Sequence, residues 1–298
     1  MKCTRGLLNP PRHGQTMSSE GELSRKHQLQ NMLVDMCIGR DGPNQPFYIF
    51  DNSEVKRLSA LIGFANHNDA THIDSGQSRS RKMQEEGFSI VHLGTLRHGR
   101  SSARHAFVRT TSIFHEFEDI LESETHEINY RKSPLDELNT SESNILSLAF
   151  NHGIVNRVLY PTELRANPSI YMAHRTRFTP TYTVGGLHLP WGQVQIEVDM
   201  TVEHEKHVTV FEAKNWRKNR SDFAIYQLFH PFHFYHKKIL ESGTDLHSVD
   251  CCYLVRRQLT GSHQSGSEID VRRYTFTDPN DILSITCLSK QRFRLLTT

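Results

Sequence analysis

The chain has 298 residues, 36% of them hydrophobic and 23% charged, with a net charge of +2. That supplies apolar material for one large core or two modest ones, and the near-neutral balance means that charge has to be read locally. Five cysteines without CxxC spacing speak for reduced thiols over a disulfide framework. With no apolar run of bilayer length and no apolar stretch in the basic start, a cytoplasmic protein without membrane contact is expected.

Residues 1–20 are polar with two prolines and two glycines, and read as a flexible tail. "ELSRKHQLQNMLVDMC" places Leu29, Leu33 and Met36 at helical spacing. "FYIF" reads as a short strand. "NSEVKRLSALIGFAN" reads as a helix capped by Asn52 or Ser53, with Val55, Leu58, Leu61 and Ile62 on one face. "SGQSRSRKMQEEG" suggests a third short helix, followed by strands "FSIVHLG" and "HAFVRT" around the loop "TLRHGRSSAR". Helix, strand, helix, helix, strand, loop, strand is the order of a winged-helix DNA reader, whose third helix enters a groove. Arg79, Arg81, Lys82, Arg97, Arg100, Arg104 and Arg109 face only Glu85 and Glu86 in that stretch, a bias that suits a phosphate backbone. A solvated basic face on a small α+β domain is the alternative.

The sign flips from Glu116 to Glu127, with six acids and no lysine or arginine, so residues 113–135 read as a solvated linker. "TSESNILSLAFNHGIVNRVLY" reads as one helix over 140–160, with Ile145, Leu146, Leu148, Ala149 and Ile154 on its apolar face and Thr140 or Ser141 as cap. A helix around Phe223 to Leu240 and the strands "YLVRR", "DVRRYTF" and "SITCLSKQRFRL" follow. The domains expected are therefore 21–112, winged-helix-like, and 136–298, an α/β (α+β) core.

The chemistry concentrates in "QIEVDMTVEHEKHVTVFEAKN". Val194, Ile196, Val198, Met200 and Val202 alternate with Gln195, Glu197, Asp199, Thr201 and Glu203, as a half-buried strand requires. If Glu205 and Lys206 form the turn, position 199 faces position 212, and opposed Cβ atoms lie about 4.5–5.5 Å apart. Asp199 and Glu212 then share a face with Lys214, while Ala213 points away. Two such carboxylates repel unless a cation sits between them, and hard oxygen ligands with room for water suit Mg²⁺. An ammonium beside them can position a metal-bound water, help to deprotonate it, or steady charge on a phosphate. The competing reading is an exposed hairpin with a cross-strand salt bridge.

"EVD…FEAK" resembles the PD-(D/E)xK nuclease superfamily, and residues 140 to 240 look like type II restriction endonucleases within it. The resemblance implies a restriction-endonuclease-like core, a mixed central sheet flanked by helices, and Mg²⁺-dependent cleavage of double-stranded DNA at a short site. It implies metal binding by Asp199 and Glu212, with the Ala213 carbonyl as a further ligand, and a catalytic role for Lys214 on the nucleophilic water. Val198 stands where the motif has proline. Glu142 is the candidate for an additional acid on the preceding helix, and Glu197 is the spare. A cognate DNA methyltransferase is implied in the same system, and a homodimer is one way to bring two active sites to a duplex.

Gln227 and Tyr235 are candidates for contact with the cleaved strand; Arg175, Arg177, Arg217, Lys218 and Arg220 are candidates for phosphates. His230, His233 and His236 recur every third residue, yet Pro231 among them and the absence of a completing cysteine or acid favour packing over zinc. "GSHQSG" reads as a loop, and no phosphate-cradling GxxxxGK[ST] implies an ATP-driven motor. Two other functions use the same features: a repair or junction-cutting nuclease, and a non-catalytic winged-helix DNA-binding regulator.

Overall fold

The computed structural model describes residues 24–96, 102–131, 133, 142–163, 167–216, 220–260 and 265–297. The expected tail, the Thr140 and Ser141 caps, most of "GSHQSG" and the side chains of Arg97, Arg100, Arg217 and Lys218 lie outside them. The fold is mixed α+β, with few helices around one large mixed sheet.

The N-terminal part runs α1 (Arg25–Asp41), β1 (Phe47–Asp51), α2 (Asn52–Leu61), a 3₁₀ turn at Gly76–Ser78, α3 (Arg81–Glu85), β2 (Phe88–Gly94) and β3 (Arg104–Arg109). The strands form an antiparallel sheet in the order β1-β3-β2. Asp51, not Asn52 or Ser53, caps α2: its carboxylate accepts from Ser53 N and Glu54 N, while Glu54 reaches back to Asp51 N. Leu61, expected on the apolar face, is 69% exposed, because the helix ends there and Val55 and Leu58 already fill the contact.

One face of this small sheet, through Phe50, Phe88, Ile90 and Phe107, packs with α1 and α2. Its other face, through Val91, Leu93, Ala106 and Val108, belongs to the core of the C-terminal part. Continuous apolar runs in β2 and β3 reflect burial on both sides. The seam is closed by backbone bonds: Gly192 N donates to Leu93 O at 2.7 Å, and Gln193 N and Thr95 N exchange bonds with the facing carbonyls at 2.7 and 3.0 Å. Gly94 has φ +74°, and a Cβ there would lie 2.1 Å from Gln193 O, so only glycine fits this approach.

Residues 113–135, expected as a linker, instead supply β4 (Phe114–Glu116) and β5 (Thr125–Tyr130). Glu116, Asp119, Glu122 and Glu127 stay exposed, as expected, while two of the acids meet the sheet: Arg294 donates to both Glu122 oxygens at 2.7 and 3.1 Å, and Tyr274 Oη donates to Glu118 at 2.7 Å. The helix expected over 140–160 is two, α4 (Glu142–Asn151) and α5 (Ile154–Leu159), broken where Gly153 takes φ +69°. The five apolar side chains expected on its face are all buried.

Then come β6 (Ser169–Phe178), the short β7 (Thr183–Val184) and β8 (Leu187–His188), β9 (Val194–His204), β10 (His207–Asn215), β11 (Asp222–Ala224), α6 (Tyr226–Ser242), β12 (Ser248–Thr260), β13 (Ser265–Phe276) and β14 (Ile285–Thr297). The large sheet runs β5-β14-β13-β12-β10-β9-β6, with β10 and β12 parallel, β14 and β5 parallel, and the other pairs antiparallel. α6 packs on one face through Leu228, Phe229 and Phe232, and α4 with α5 on the other. His230 and His233 take part in the α6 packing: His230 Nε2 lies 2.6 Å from Tyr182 Oη, and His233 Nδ1 2.8 Å from Pro279 O.

Candidate active site

The β9–β10 hairpin turns at Glu205 and Lys206, both at positive φ (45° and 72°), as a two-residue turn of right-handed strand twist requires. His204 faces His207, and the ladder continues to Met200 opposite Phe211. There the regular pairing stops. Ala213 N donates 3.0 Å to the Asp199 carboxylate. Asp199 also marks a change of layer: Val194, Ile196 and Val198 pack in the α6 core, Met200 and Val202 in the α4–α5 core. The opening of the ladder leaves room for side chains to converge.

Lys214 Nζ sits 2.9 Å from Glu212 Oε1 and donates 2.7 Å to Glu142 Oε1. Glu142 is presented by the first turn of α4, which is tied to the sheet by Arg256 Nη1 donating 2.8 Å to Asn144 Oδ1. The four groups Asp199, Glu212, Lys214 and Glu142 line one cleft of about 410 Å³. Glu197 also lines it, but is exposed and engaged by Arg175 at 3.0 Å. Of the two candidate additional acids, Glu142 is the one that touches the amine.

Burial pushes Glu212, only 12% exposed, up to about 8, with Asp199 and Glu142 adding to the rise against the pull of Lys214. Asp199 is raised for the same first reason, burial, offset in part by the Ala213 N–H and Lys214. Burial works against the charge on Lys214, yet the Glu212 and Glu142 carboxylates hold its proton affinity well above the ordinary amine value. The amine is therefore a fixed cation and a hydrogen-bond donor. Three carboxyl groups crowd a single ammonium in a half-buried place, and the rise of Glu212 and Asp199 reflects the cost of ionising them all without a further positive charge. Each described contact engages one oxygen of a carboxylate, so Asp199, Glu212 and Glu142 retain hard oxygen donors for a divalent cation. Among the described residues the group whose ligand atoms all lie within 4.8 Å of one another is Glu163, His204 and Glu205, at the hairpin turn and the far end of the strands from Asp199; Asp199, Glu212 and Glu142 do not form such a group.

The other sequence-predicted residues are distributed as follows. Gln227 lines the cleft, accepting from Tyr253 Oη at 3.3 Å. Tyr235 does not line it; its hydroxyl meets Thr201 at 3.2 Å and His174 at 3.1 Å beside a separate apolar groove. Arg79 is turned inward, donating to Gly76 O and Phe88 O and lying over the Phe114 ring. Lys82 pairs with Asp35, Arg81 with Glu85, and Arg109 with Glu86, while Arg104 donates to Pro190 O. Arg81 remains largely exposed, at 86%. Arg177 lies with Lys237 and Lys238 at another shallow pocket, and Arg220 donates to Asp74 O.

The cleft also holds His72, His92, Tyr226 and His230, none of which the sequence singled out as cleft residues. His72 and Asp74 pair at 3.0 Å. Nothing in local spacing marks them, since they reach the site only through contacts more than a hundred residues long.

Fold and cleft together define a mixed α+β protein with a carboxylate–amine cluster at the opening of a β-hairpin. Residues 109–294 match the family described as a domain of unknown function, DUF6997, and the chain belongs to that family. No curated protein and no solved structure matches it.

Proposed function

We propose that the protein is a Mg²⁺-dependent endonuclease that hydrolyses phosphodiester bonds of double-stranded DNA at a short specific sequence, a restriction-type enzyme. One observation carries the reading: the Lys214 ammonium lies 2.7 and 2.9 Å from Glu142 and Glu212, with Asp199 on the Ala213 N–H, inside one cleft. The seven-stranded mixed sheet with helices on both faces supports a restriction-endonuclease-like core, and the N-terminal order of elements supports a winged-helix-like reader.

Asp199 and Glu212, with the Ala213 carbonyl, would hold the cation, whose role when bound is to acidify a water and neutralise phosphate charge. Glu212, pushed up to about 8 by burial, would serve as a ligand in its ionised form. Lys214, fixed as a cation by two carboxylates, orients the attacking water and steadies the charge that builds on the phosphate; its raised proton affinity makes it a donor and not the base. Glu142 keeps the ammonium in place.

A structure-dependent repair or junction nuclease with the same chemistry is the second reading. It is favoured by the internal engagement of Arg79, Lys82, Arg104 and Arg109, which leaves less basic surface for base reading. Incubating unmethylated plasmid with the protein and Mg²⁺, then sequencing the ends, tests both. Discrete fragments with 5′-phosphates are expected, with a protecting methyltransferase in the same system. Nicking confined to branched DNA supports the second reading. DNA binding without cutting in any divalent cation refutes both and leaves a DNA-binding regulator.

A further inference from the structure

The N-terminal part does more than adjoin the cleft. His72 lines it together with Glu142, Asp199, Glu212 and Lys214. The loop carrying His72 is fixed to the segment that follows β10 at four points. Tyr226 Oη donates 2.8 Å to Ile73 O, Ala224 N donates 2.9 Å to Asp74 O, and Arg220 Nη2 donates 3.1 Å to the same carbonyl. Gly76 N donates 3.1 Å to the Asp222 carboxylate. These bonds fix the backbone that carries His72, and Asp74 holds the ring itself.

The chemistry of the pair is directional. Asp74 takes His72 Nε2 at 3.0 Å, which leaves Nδ1 without a hydrogen-bond partner among the described residues. The Asp74 hydrogen bond raises the proton affinity of His72 above the ordinary imidazole value, opposed by burial and by the nearby Lys26 and Lys214 charges. His92, the other ring beside it, lies 6.2 Å away by centroids. His72 and Lys214 thus face a common space, the ring held by Asp74 and the amine by Glu142 and Glu212; in its protonated form His72 presents an Nδ1–H donor, and its charge and that of Lys214 then repel each other across the space. Such an arrangement is stable when an anion bridges the two.

We infer that His72 is a substrate-binding residue of the cleft, donating from Nδ1 to a non-bridging oxygen of a nucleic-acid phosphate while Asp74 holds the ring from behind. This assignment rests on the nuclease reading above. It makes the active site composite: the N-terminal part supplies a phosphate ligand, and the hairpin supplies the metal ligands and Lys214.

The test uses the full chain as wild type, His72→Ala, His72→Arg and Lys214→Ala. Loss of supercoiled plasmid is followed at enzyme excess in Mg²⁺, and plasmid binding is measured in Ca²⁺. A charge-assisted hydrogen bond to the reacting phosphate is worth roughly one to two powers of ten in rate. His72→Ala is therefore expected to slow cutting about 10- to 100-fold, with an unchanged melting temperature because the side chain is 62% exposed. His72→Arg is expected to restore most of the rate, since it replaces the donor cation. Wild-type rate in His72→Ala overturns the assignment and leaves the nuclease reading standing, as does equal loss in the Ala and Arg variants. A wild type that neither cuts nor binds DNA overturns the nuclease reading, and this assignment with it.

Discussion

Glu212→Gln is the sharpest single test of the electrostatics. The Glu212 carboxyl goes from an ordinary 4.5 in the unfolded chain to about 8 in the fold, chiefly because it is buried. Below 4.5 both states hold the proton and the group's contribution to stability is complete. That contribution is lost as pH rises through about 8, because the folded state must then carry a buried charge. Burial drives the displacement and the Lys214 ion pair opposes it, so the direction of the pH dependence is what the comparison reads. Glutamine keeps the shape and cannot ionise. Urea unfolding followed by circular dichroism at pH 5 and pH 8.5, with and without Mg²⁺, gives the comparison. The expected outcome is similar stability at pH 5 and a more stable Gln variant at pH 8.5. Mg²⁺ should stabilise the wild type at pH 8.5 and the variant far less, since the ion binds the folded state through this carboxylate. A Gln variant less stable than wild type at pH 8.5 would show that Lys214 outweighs burial. An equal Mg²⁺ shift in both would place the cation elsewhere.

Asp199→Ala and Lys214→Ala are each expected to abolish cutting while DNA binding in Ca²⁺ stays within a few-fold of wild type; near-normal cutting by either would mean the site is misassigned. Asn144→Ala leaves the buried Arg256 guanidinium without the 2.8 Å acceptor that ties α4 to the sheet, at a cost of about 1–3 kcal/mol in urea unfolding, and should slow cutting because Glu142 loses its anchor. Gly94→Ala forces a Cβ to 2.1 Å from Gln193 O at positive φ, so the seam must open; loss of several degrees in melting temperature and faster proteolysis between the two parts are expected, and a variant as stable as wild type would refute the tight approach.

Much of the hairpin was legible beforehand because its signals are local. Alternation marks Val194, Ile196, Val198, Met200 and Val202 as buried, although the run expected on one face changes layer at Asp199; the two-residue turn fixes the register as far as Met200 opposite Phe211, where the ladder ends one position short of 199 and 212. The turn itself was less obvious, since Glu205 and Lys206 are not residues that favour positive φ. The break at Gly153 leaves no trace in the helical periodicity, which runs through the two-residue turn of His152 and the αL Gly153 between α4 and α5. In the acid-rich 113–135 stretch Glu116, Asp119, Glu122 and Glu127 are exposed, as expected; β4 and β5 are hidden from local reading because their partner strands β11 and β14 lie more than a hundred residues along the chain.

What the sequence by itself determined is therefore the hairpin that carries Asp199, Glu212 and Lys214, three residues joined by one turn and the two-residue period of a strand. The tertiary structure alone decided that Glu142 and not Glu197 meets the amine, that Arg79 faces inward, and that His72 and Asp74 face the cleft. The first depends on how α4 packs on the face of β10, and the last on how the β2–β3 sheet docks against β9 and α6. That docking is set by apolar burial and backbone bonds between segments a hundred or more residues apart, and such contacts leave no periodic trace in the chain.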